Sequence, residues 1–299
     1  MGGKWRKRFA IFFAIAWWFL LWPQSAEIPV VQPAEAHTDI PVTETFTDQT
    51  PEPGLQREWV PTPEPSAVRE EPAELGPTVY LTFDDGPSRS TFDVLDILKE
   101  SGIPATFFVL GERAEKHREA VRRMAHEGHA IGNHTYNHKY DELYKSLFTF
   151  WEQVNRTNDI IQDITGRSVR LLRAPGGTAT NFDELYFHYL EMAGFRIFEW
   201  TVDSGDSRRK NVPAKEIVEN VKRGKLQREV IVLLHDGPGH EETVKALPEI
   251  IRYFQEKGYR FAALDEDMEP VKFRSGKVKW QRTVTSEDHR QLTAMVLSA

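Results

Sequence analysis

The sequence predicts a parallel α/β domain, a sheet or a barrel, and three observations carry that prediction. Seven short apolar, β-rich runs recur after Pro77, amphipathic stretches of helical spacing separate most of them, and a glycine follows or ends each stretch. Strand and helix alternate about seven times within roughly 190 residues, the signature of βα units with parallel strands.

The runs are Thr78–Phe83, Ala105–Leu110, Ala130–Asn133, Leu171–Arg173, Arg196–Val202, Val230–His235 and Tyr259–Leu264. Helices are expected over Thr91–Glu100, Ala114–His126, Tyr140–Ile164, Phe182–Met192, Ala214–Arg223 and Glu242–Lys257. In the last of these, Val244, Leu247, Ile250, Ile251 and Phe254 fall on one helical face. Gly102, Gly128, Gly166, Gly194, Gly224 and Gly258 stand where C-terminal caps are expected.

The flanks differ from this domain. Lys4, Arg6, Lys7 and Arg8 precede fourteen apolar residues from Phe9 to Trp22. Fourteen residues span roughly 21 Å as a helix, short of a hydrocarbon core of ~30 Å. Residues 1–26 are therefore expected to be a secretory signal peptide, or a membrane anchor if uncleaved, since Trp5, Trp17, Trp18 and Trp22 also suit an interface. Residues 27–76 hold nine of the 18 prolines and eleven acids against two bases. Such a segment buries too little apolar surface to offset its ordering entropy, so a disordered, extended linker is expected. The catalytic-type domain is placed at 77–268. Residues 269–299 carry six bases and three acids without a clear period, and an extra strand pair, a basic tail and disorder stay open.

Net charge is −7 and there is no cysteine. Disulfides, thiolate metal sites and cysteine nucleophiles are excluded, and a metal would have to sit on His and carboxylates. The acidic balance argues against a nucleic-acid partner.

In parallel α/β architectures, function gathers where strands end. The first run ends in Thr82-Phe83-Asp84-Asp85-Gly86-Pro87; adjacent carboxylates there face different ways and can divide metal binding and proton transfer between them, although an Asx turn would explain the motif alone. The third ends in His134-Thr135-Tyr136-Asn137-His138, two imidazoles spaced to chelate one divalent ion. With a carboxylate from another strand end they make a His₂–Asp set with open positions, suited to Zn²⁺ or a similar ion in hydrolysis. Arg173-Ala174-Pro175-Gly176-Gly177, Asp203-Ser204-Gly205-Asp206 and Leu233-Leu234-His235-Asp236-Gly237 end three further runs. Each is weak alone. Their joint occurrence at successive strand ends points to one site.

The order Thr-Phe-Asp-Asp-Gly, His-x-x-x-His, Arg-x-Pro-x-Gly, Asp-x-x-Asp and Leu-x-His, spread over about Thr78 to Leu264, resembles the polysaccharide deacetylases of the NodB-homology type, carbohydrate esterase family 4. The resemblance implies a distorted (β/α) barrel of about seven parallel strands and metal-dependent removal of acetyl groups from N-acetylglucosamine polymers or acetylated xylan. It implies that Asp85, His134 and His138 hold the metal, Zn²⁺ first and Co²⁺ or another divalent ion next. Asp84 is then the general base with Arg173 orienting it, and His235 the general acid with Asp206 holding its ring. The Gly176 N–H is the oxyanion donor, and Leu233 lines the acetyl-methyl pocket.

Two positions depart from the family pattern. Gly176 stands where Tyr is frequent, which keeps the backbone donor but loses an aromatic wall. Ser207 replaces the usual Trp, which removes one wall of the acid's pocket. Phe198 and Trp200 read as core rather than as replacements. Asp85 argues against the branch acting on the muramic sugar, which usually carries Asn there. The expected function is N-deacetylation of a cell-wall glycan, peptidoglycan first, by a protein outside the cell, secreted or tethered by its N-terminal segment, with the polysaccharide as its partner and no protein partner implied. A chitin, chitooligosaccharide or acetylxylan deacetylase and a catalytically silent glycan-binding protein are the alternatives. A nucleotide-binding protein fits less well, because aspartates stand where a phosphate loop would open.

Overall fold

The computed structural model describes residues 76–274 and 276–297, so the expected signal or anchor segment and the acidic linker up to residue 75 lie outside the described residues. Among the described residues no helix is long and apolar enough to cross a membrane.

Among the described residues eight strands form one sheet: β1 (Thr78–Asp84), β2 (Thr106–Val109), β3 (Ala130–Asn133), β4 (Leu171–Leu172), β5 (Arg196–Ile197), β6 (Val202–Asp203), β7 (Glu229–His235) and β8 (Arg260–Phe261). The order is β5-β4-β3-β2-β1-β7-β6, every pairing is parallel, and β8 pairs with the first two residues of β1. Each of the seven expected runs carries a strand. The fifth carries two, because its halves pair with opposite ends of the sheet. Phe198 N–H donates to Leu172 O beside β4, and Thr201 N–H donates to Ile231 O beside β7, each at 2.9 Å. That run brings the two edges of the sheet together, and the result is the distorted (β/α) barrel expected from the motifs.

The helices are α1 (Arg89–Ser101), α2 (Gly111–Lys116), α3 (Arg118–His126), α4 (Tyr140–Leu143), α5 (Leu147–Thr165), α6 (Glu184–Met192), α7 (Ala214–Arg223), α8 (Glu241–Glu256) and α9 (Ser286–Leu297). Two expected helices are broken. The stretch Ala114–His126 divides at His117, and Tyr140–Ile164 divides at Ser146, whose hydroxyl caps α5 by accepting from Thr149 N–H. The C-terminal extension is neither a strand pair nor irregular throughout. It ends in α9, which packs on α6 through Leu292 and Val296.

Side-chain alternation along the strands places the site. On β1, Val79, Leu81 and Phe83 pack outward with Val94, Leu95 and Leu98 of α1 and Leu247 and Ile250 of α8 in the largest apolar cluster. Tyr80, Thr82 and Asp84 therefore face inward. On β7, Val230, Val232 and Leu234 join the outer cluster, which turns Ile231, Leu233 and His235 inward. Tyr80 and Ile231 meet Phe108, Leu171, Phe198 and Leu264 in a small inner core. Polar residues occupy the inner face above it. A cavity of about 460 Å³, lined by His129, Ala130, Leu171 and Leu264 among others, opens at the strand-start end and contains none of the expected site residues.

Candidate active site

Register brings the expected site together. Asp84 and His235 are direct partners in the β1–β7 ladder, as are Thr82 and Leu233 one inward position below. Arg173, at the end of β4, is fully buried and crosses the barrel interior. Its Nη1 donates to Asp84 Oδ1 at 2.9 Å and to Thr82 Oγ1 at 2.6 Å, and its Nε and Nη2 donate to the carbonyls of Phe198 and Glu199. The guanidinium lies 4.2 Å over the Phe108 ring. Four of the five guanidinium N–H donors are thus committed, and Asp84 is held in a single orientation. Burial pushes the Asp84 carboxyl above its ordinary value, and the Arg173 charge opposes that shift.

Asp85 departs from simple strand alternation. Its φ of +69° is left-handed, and Thr135 and His138, at +70° and +61°, share that conformation. Three of the four such non-glycine residues among the described residues lie in these two loops, each at a cost of roughly 1–3 kcal/mol. The turn lets two adjacent carboxylates reach one imidazole: Asp84 Oδ2 is 3.9 Å and Asp85 Oδ1 is 3.6 Å from His134 Nε2. Asp85 Oδ1 also lies 3.4 Å from His138 Nε2.

These three groups fit a divalent cation. Asp85 Oδ1 is buried without a hydrogen-bond partner, an arrangement that costs free energy unless a cation or water occupies the gap. The ligand atoms of Asp85, His134 and His138 all lie within 4.8 Å of one another. His134 Nδ1 donates to Arg173 O at 2.8 Å, which leaves Nε2 as the lone pair facing Asp85. Burial lowers the His134 pKa to about 3, so the ring is neutral and able to ligate.

On the other side, His235 Nδ1 donates to Asp206 Oδ1 at 2.7 Å, leaving Nε2 as the outer nitrogen. Asp206 Oδ2 accepts from His235 N–H at 2.7 Å and from Thr243 Oγ1 at 2.8 Å. Burial alone would lower the His235 pKa, but the Asp206 charge and hydrogen bond outweigh it and raise the value to about 9. Burial likewise works against the Asp206 carboxylate, and the His235 charge overcomes it, leaving Asp206 below its ordinary value. Leu233 is 6% exposed on the inner face. Gly176 has φ +69° in a turn closed by Gly177 N–H to Ala174 O, and among the described residues no acceptor pairs with its N–H.

Four residues escaped the sequence reading. His240 stacks on His235 with centroids 5.2 Å apart and planes 19° from parallel, so an imidazole covers the acid where Ser207 offers no indole. Asp236 is buried behind the first motif, and burial pushes its pKa up to about 7. A Cβ on Gly86 would lie 2.3 Å from Asp236 Oδ2, which is why glycine follows the aspartate pair. Thr82 is the second anchor of Arg173, and Tyr140 lies against Gly176. Thr82 and Asp236 had a local signal, as the opening residue of the first motif and as a carboxylate next to His235. The expected core residues differ in degree, with Phe198 buried in the inner core and Trp200 half-buried edge-on against Phe273.

The C-terminal extension supports the Gly176 loop. Arg282, nearly buried, donates to the carbonyls of Tyr144 and Asn181 and to Asp183 Oδ2, and Trp280 Nε1 donates to Asn181 Oδ1. Tyr144 O–H in turn donates to Pro175 O at 2.6 Å, and Asn181 Nδ2 donates to Gly177 O at 2.8 Å. The residues on both sides of Gly176 are pinned by this chain of bonds.

A curled parallel barrel with an Asp–His–His cluster, an Arg-held carboxylate and an Asp-held imidazole at its strand ends defines a hydrolase-type site. The family model for polysaccharide deacetylase matches residues 72–198. The chain is 34% identical over 199 residues to a peptidoglycan-N-acetylglucosamine deacetylase of Bacillus cereus strain ATCC 14579, covering 65% of this chain and 72% of that protein. It is 35% identical over 215 residues to a chitooligosaccharide deacetylase of Bradyrhizobium sp. strain ANU 289, covering 67% and 95%. The crystal structure of the polysaccharide deacetylase Bc1974 from Bacillus cereus superposes with a TM-score of 0.63 at 34% identity, covering 66% of this chain and 97% of that one. The chain belongs to the polysaccharide deacetylase family, a family of metal-dependent deacetylases.

Proposed function

We propose that this protein removes the acetyl group from N-acetylglucosamine residues of peptidoglycan, releasing acetate and leaving a free amine on the glycan. The observation that carries the reading is the direct pairing of Asp84 with His235 across β1 and β7, beside the Asp85–His134–His138 cluster. A base and an acid thereby flank one point, as hydrolysis of an unreactive amide requires. The likeness to a peptidoglycan-N-acetylglucosamine deacetylase supports this substrate.

Asp85, His134 and His138 would hold the metal, and zinc is proposed from the two imidazoles and one carboxylate. Such an ion, when bound, would supply Lewis acidity for the acetyl carbonyl and would lower the pKa of the attacking water. Asp84, whose ionised form the Arg173 charge favours against burial, takes the water proton as the new C–O bond forms. The Gly176 N–H faces the developing oxyanion. His235, charged at neutral pH, gives its outer proton to the nitrogen as the C–N bond breaks. Leu233 packs on the acetyl methyl and excludes larger acyl groups. The products balance as acetate and amine, with His235 and Asp84 exchanging their protons back through solvent.

Export follows from the basic and apolar segment in residues 1–26, and the acidic linker would hold the domain away from an anionic membrane surface. The test is acetate release from peptidoglycan, chitooligosaccharides and acetylxylan side by side, with and without a chelator. Peptidoglycan should be the best substrate, the chelator should abolish release, and Asp84→Asn should lose about 10²- to 10⁴-fold in turnover while keeping its metal. Preference for soluble chitooligosaccharides would move the reading to that substrate, which the likeness to the Bradyrhizobium protein supports as second choice.

A further inference from the structure

We propose that Tyr140 is a catalytic residue of this site, its phenolic hydroxyl donating a second hydrogen bond, beside the Gly176 amide, to the oxyanion of the acetyl group. The inference rests on the deacetylase reading above.

Tyr140 follows the ligand-type His138 by two residues and opens α4. Its ring meets the His138 ring edge-on, with centroids 5.2 Å apart and planes at 83°. Tyr144 flanks it on the other side at 5.9 Å. The ring is therefore held between the metal-type cluster and the aromatic cluster under α5. Its hydroxyl reaches the Gly176 turn: a Cβ on Gly176 would lie 2.6 Å from the oxygen and 2.9 Å from ring Cε1. A side chain at position 176 would force this phenol to move. The phenol thus stands in the space that a residue there would fill, next to the amide assigned to the oxyanion.

Exposure points the same way. Tyr140 is 42% exposed, and the other large apolar residues exposed among the described residues lie outside the site, Met192 and Leu297 at the ends of α6 and α9 and Leu226 in the loop between α7 and β7. The ring packs edge-on against His138 while its hydroxyl has no protein partner among the described residues, so the hydroxyl is available to a ligand in the site. A phenol with an ordinary pKa of about 10 is a hydrogen-bond donor at neutral pH, and tyrosine is among the side chains that line oxyanion holes. A donor aimed where charge develops strengthens in the transition state more than in the bound amide, so it lowers the barrier rather than tightening substrate binding.

The experiment compares wild type, Tyr140→Phe and Tyr140→Ala as metal-loaded full-length proteins. The substrate is the one preferred in the acetate-release assay, with 4-nitrophenyl acetate in parallel and zinc affinity measured by calorimetry. Loss of one oxyanion donor typically costs about 10²–10³-fold in kcat, and sharing the charge with a backbone amide and a cation puts Tyr140→Phe at roughly 10–100-fold. KM should change less than about twofold, zinc affinity should stay put, and the ester should suffer the same factor, because both substrates form the oxyanion. Wild-type turnover by Tyr140→Phe overturns the proposal. So does a KM rise confined to Tyr140→Ala, which would make the ring a platform for sugar, and so does lost zinc affinity in Tyr140→Phe, which would place the effect on His138. No acetate release by wild type from any substrate would instead remove the deacetylase reading, and this inference with it.

Discussion

Asp84 and Asp85 are neighbours with identical side chains, and the backbone alone separates them. Asp84 ends a strand, is 3% exposed and belongs to Arg173, whereas the left-handed turn at Asp85 swings its carboxylate to two imidazoles. His235 is governed in the same way by one partner. Its pKa near 9 exists because Asp206 outweighs burial, so the ring keeps its proton at neutral pH and loses it only as pH rises through about 9. As the proton donor, it should sustain deacetylation up to that pH and fail above it. Asp206→Asn removes the compensating charge while burial remains. The alkaline limb of kcat/KM should then move down, from about 9 to the ordinary imidazole value of 6.5 or below. A pH–rate profile of both proteins checks this, and an unmoved alkaline limb would take the acid role away from His235. Local spelling marked Asp84, Asp85, His134, His138, Arg173, Asp206 and His235, because each sits in a short motif at the end of an apolar run. It did not mark His240 or Tyr140, which reach the site through loops whose paths depend on remote contacts.

At the scale of elements, hydrophobic periodicity located every strand and most helices, and the misses have identifiable causes. Ser146 supplies an N-cap inside what periodicity alone reads as one long helix, and the capping hydroxyl is the signal that was there to use. The fifth run looks continuous because five of its seven residues are apolar or β-branched, yet its two halves pair with different neighbours. The C-terminal extension carried no period because much of it is an irregular strap fixed by single side chains. Arg282 is its anchor, with bonds to Tyr144 O at 2.8 Å, Asn181 O at 3.1 Å and Asp183 Oδ2 at 2.9 Å. Arg282→Met should destabilise the domain by about 2–4 kcal/mol, since charged hydrogen bonds contribute about 1.5–3 kcal/mol each and do not add fully. Urea denaturation measures it, with Arg282→Lys recovering less than half because an ammonium cannot reproduce the guanidinium fork. A wild-type midpoint for Arg282→Met would show that the extension does not brace the loop.

At the scale of the whole domain, the apolar clusters and the metal-type cluster are separate. The outer core, the α5–α6–α9 core and the inner core join strands and helices through apolar side chains alone. The fold should therefore survive a chelator, unlike small domains whose core is their metal site. Thermal unfolding of the chelated protein should stay cooperative, and zinc at 100 times its dissociation constant should add about 2.7 kcal/mol by mass action. Unfolding on chelation would make the site structural rather than catalytic.

The amino-acid sequence by itself determined the parallel α/β class, the seven strand-forming runs and the residues of the five motifs. Those properties are local: a period, a cap or a pair of ligands four apart is written within a few consecutive residues. Tertiary structure decided what no short window contains. It put Asp84 opposite His235 by strand register, Tyr140 in the space left open at Gly176, His240 over the acid, and the C-terminal strap behind the Gly176 loop. Each of these joins segments whose contact depends on how whole elements pack, and packing is a property of the assembled core rather than of any stretch of chain.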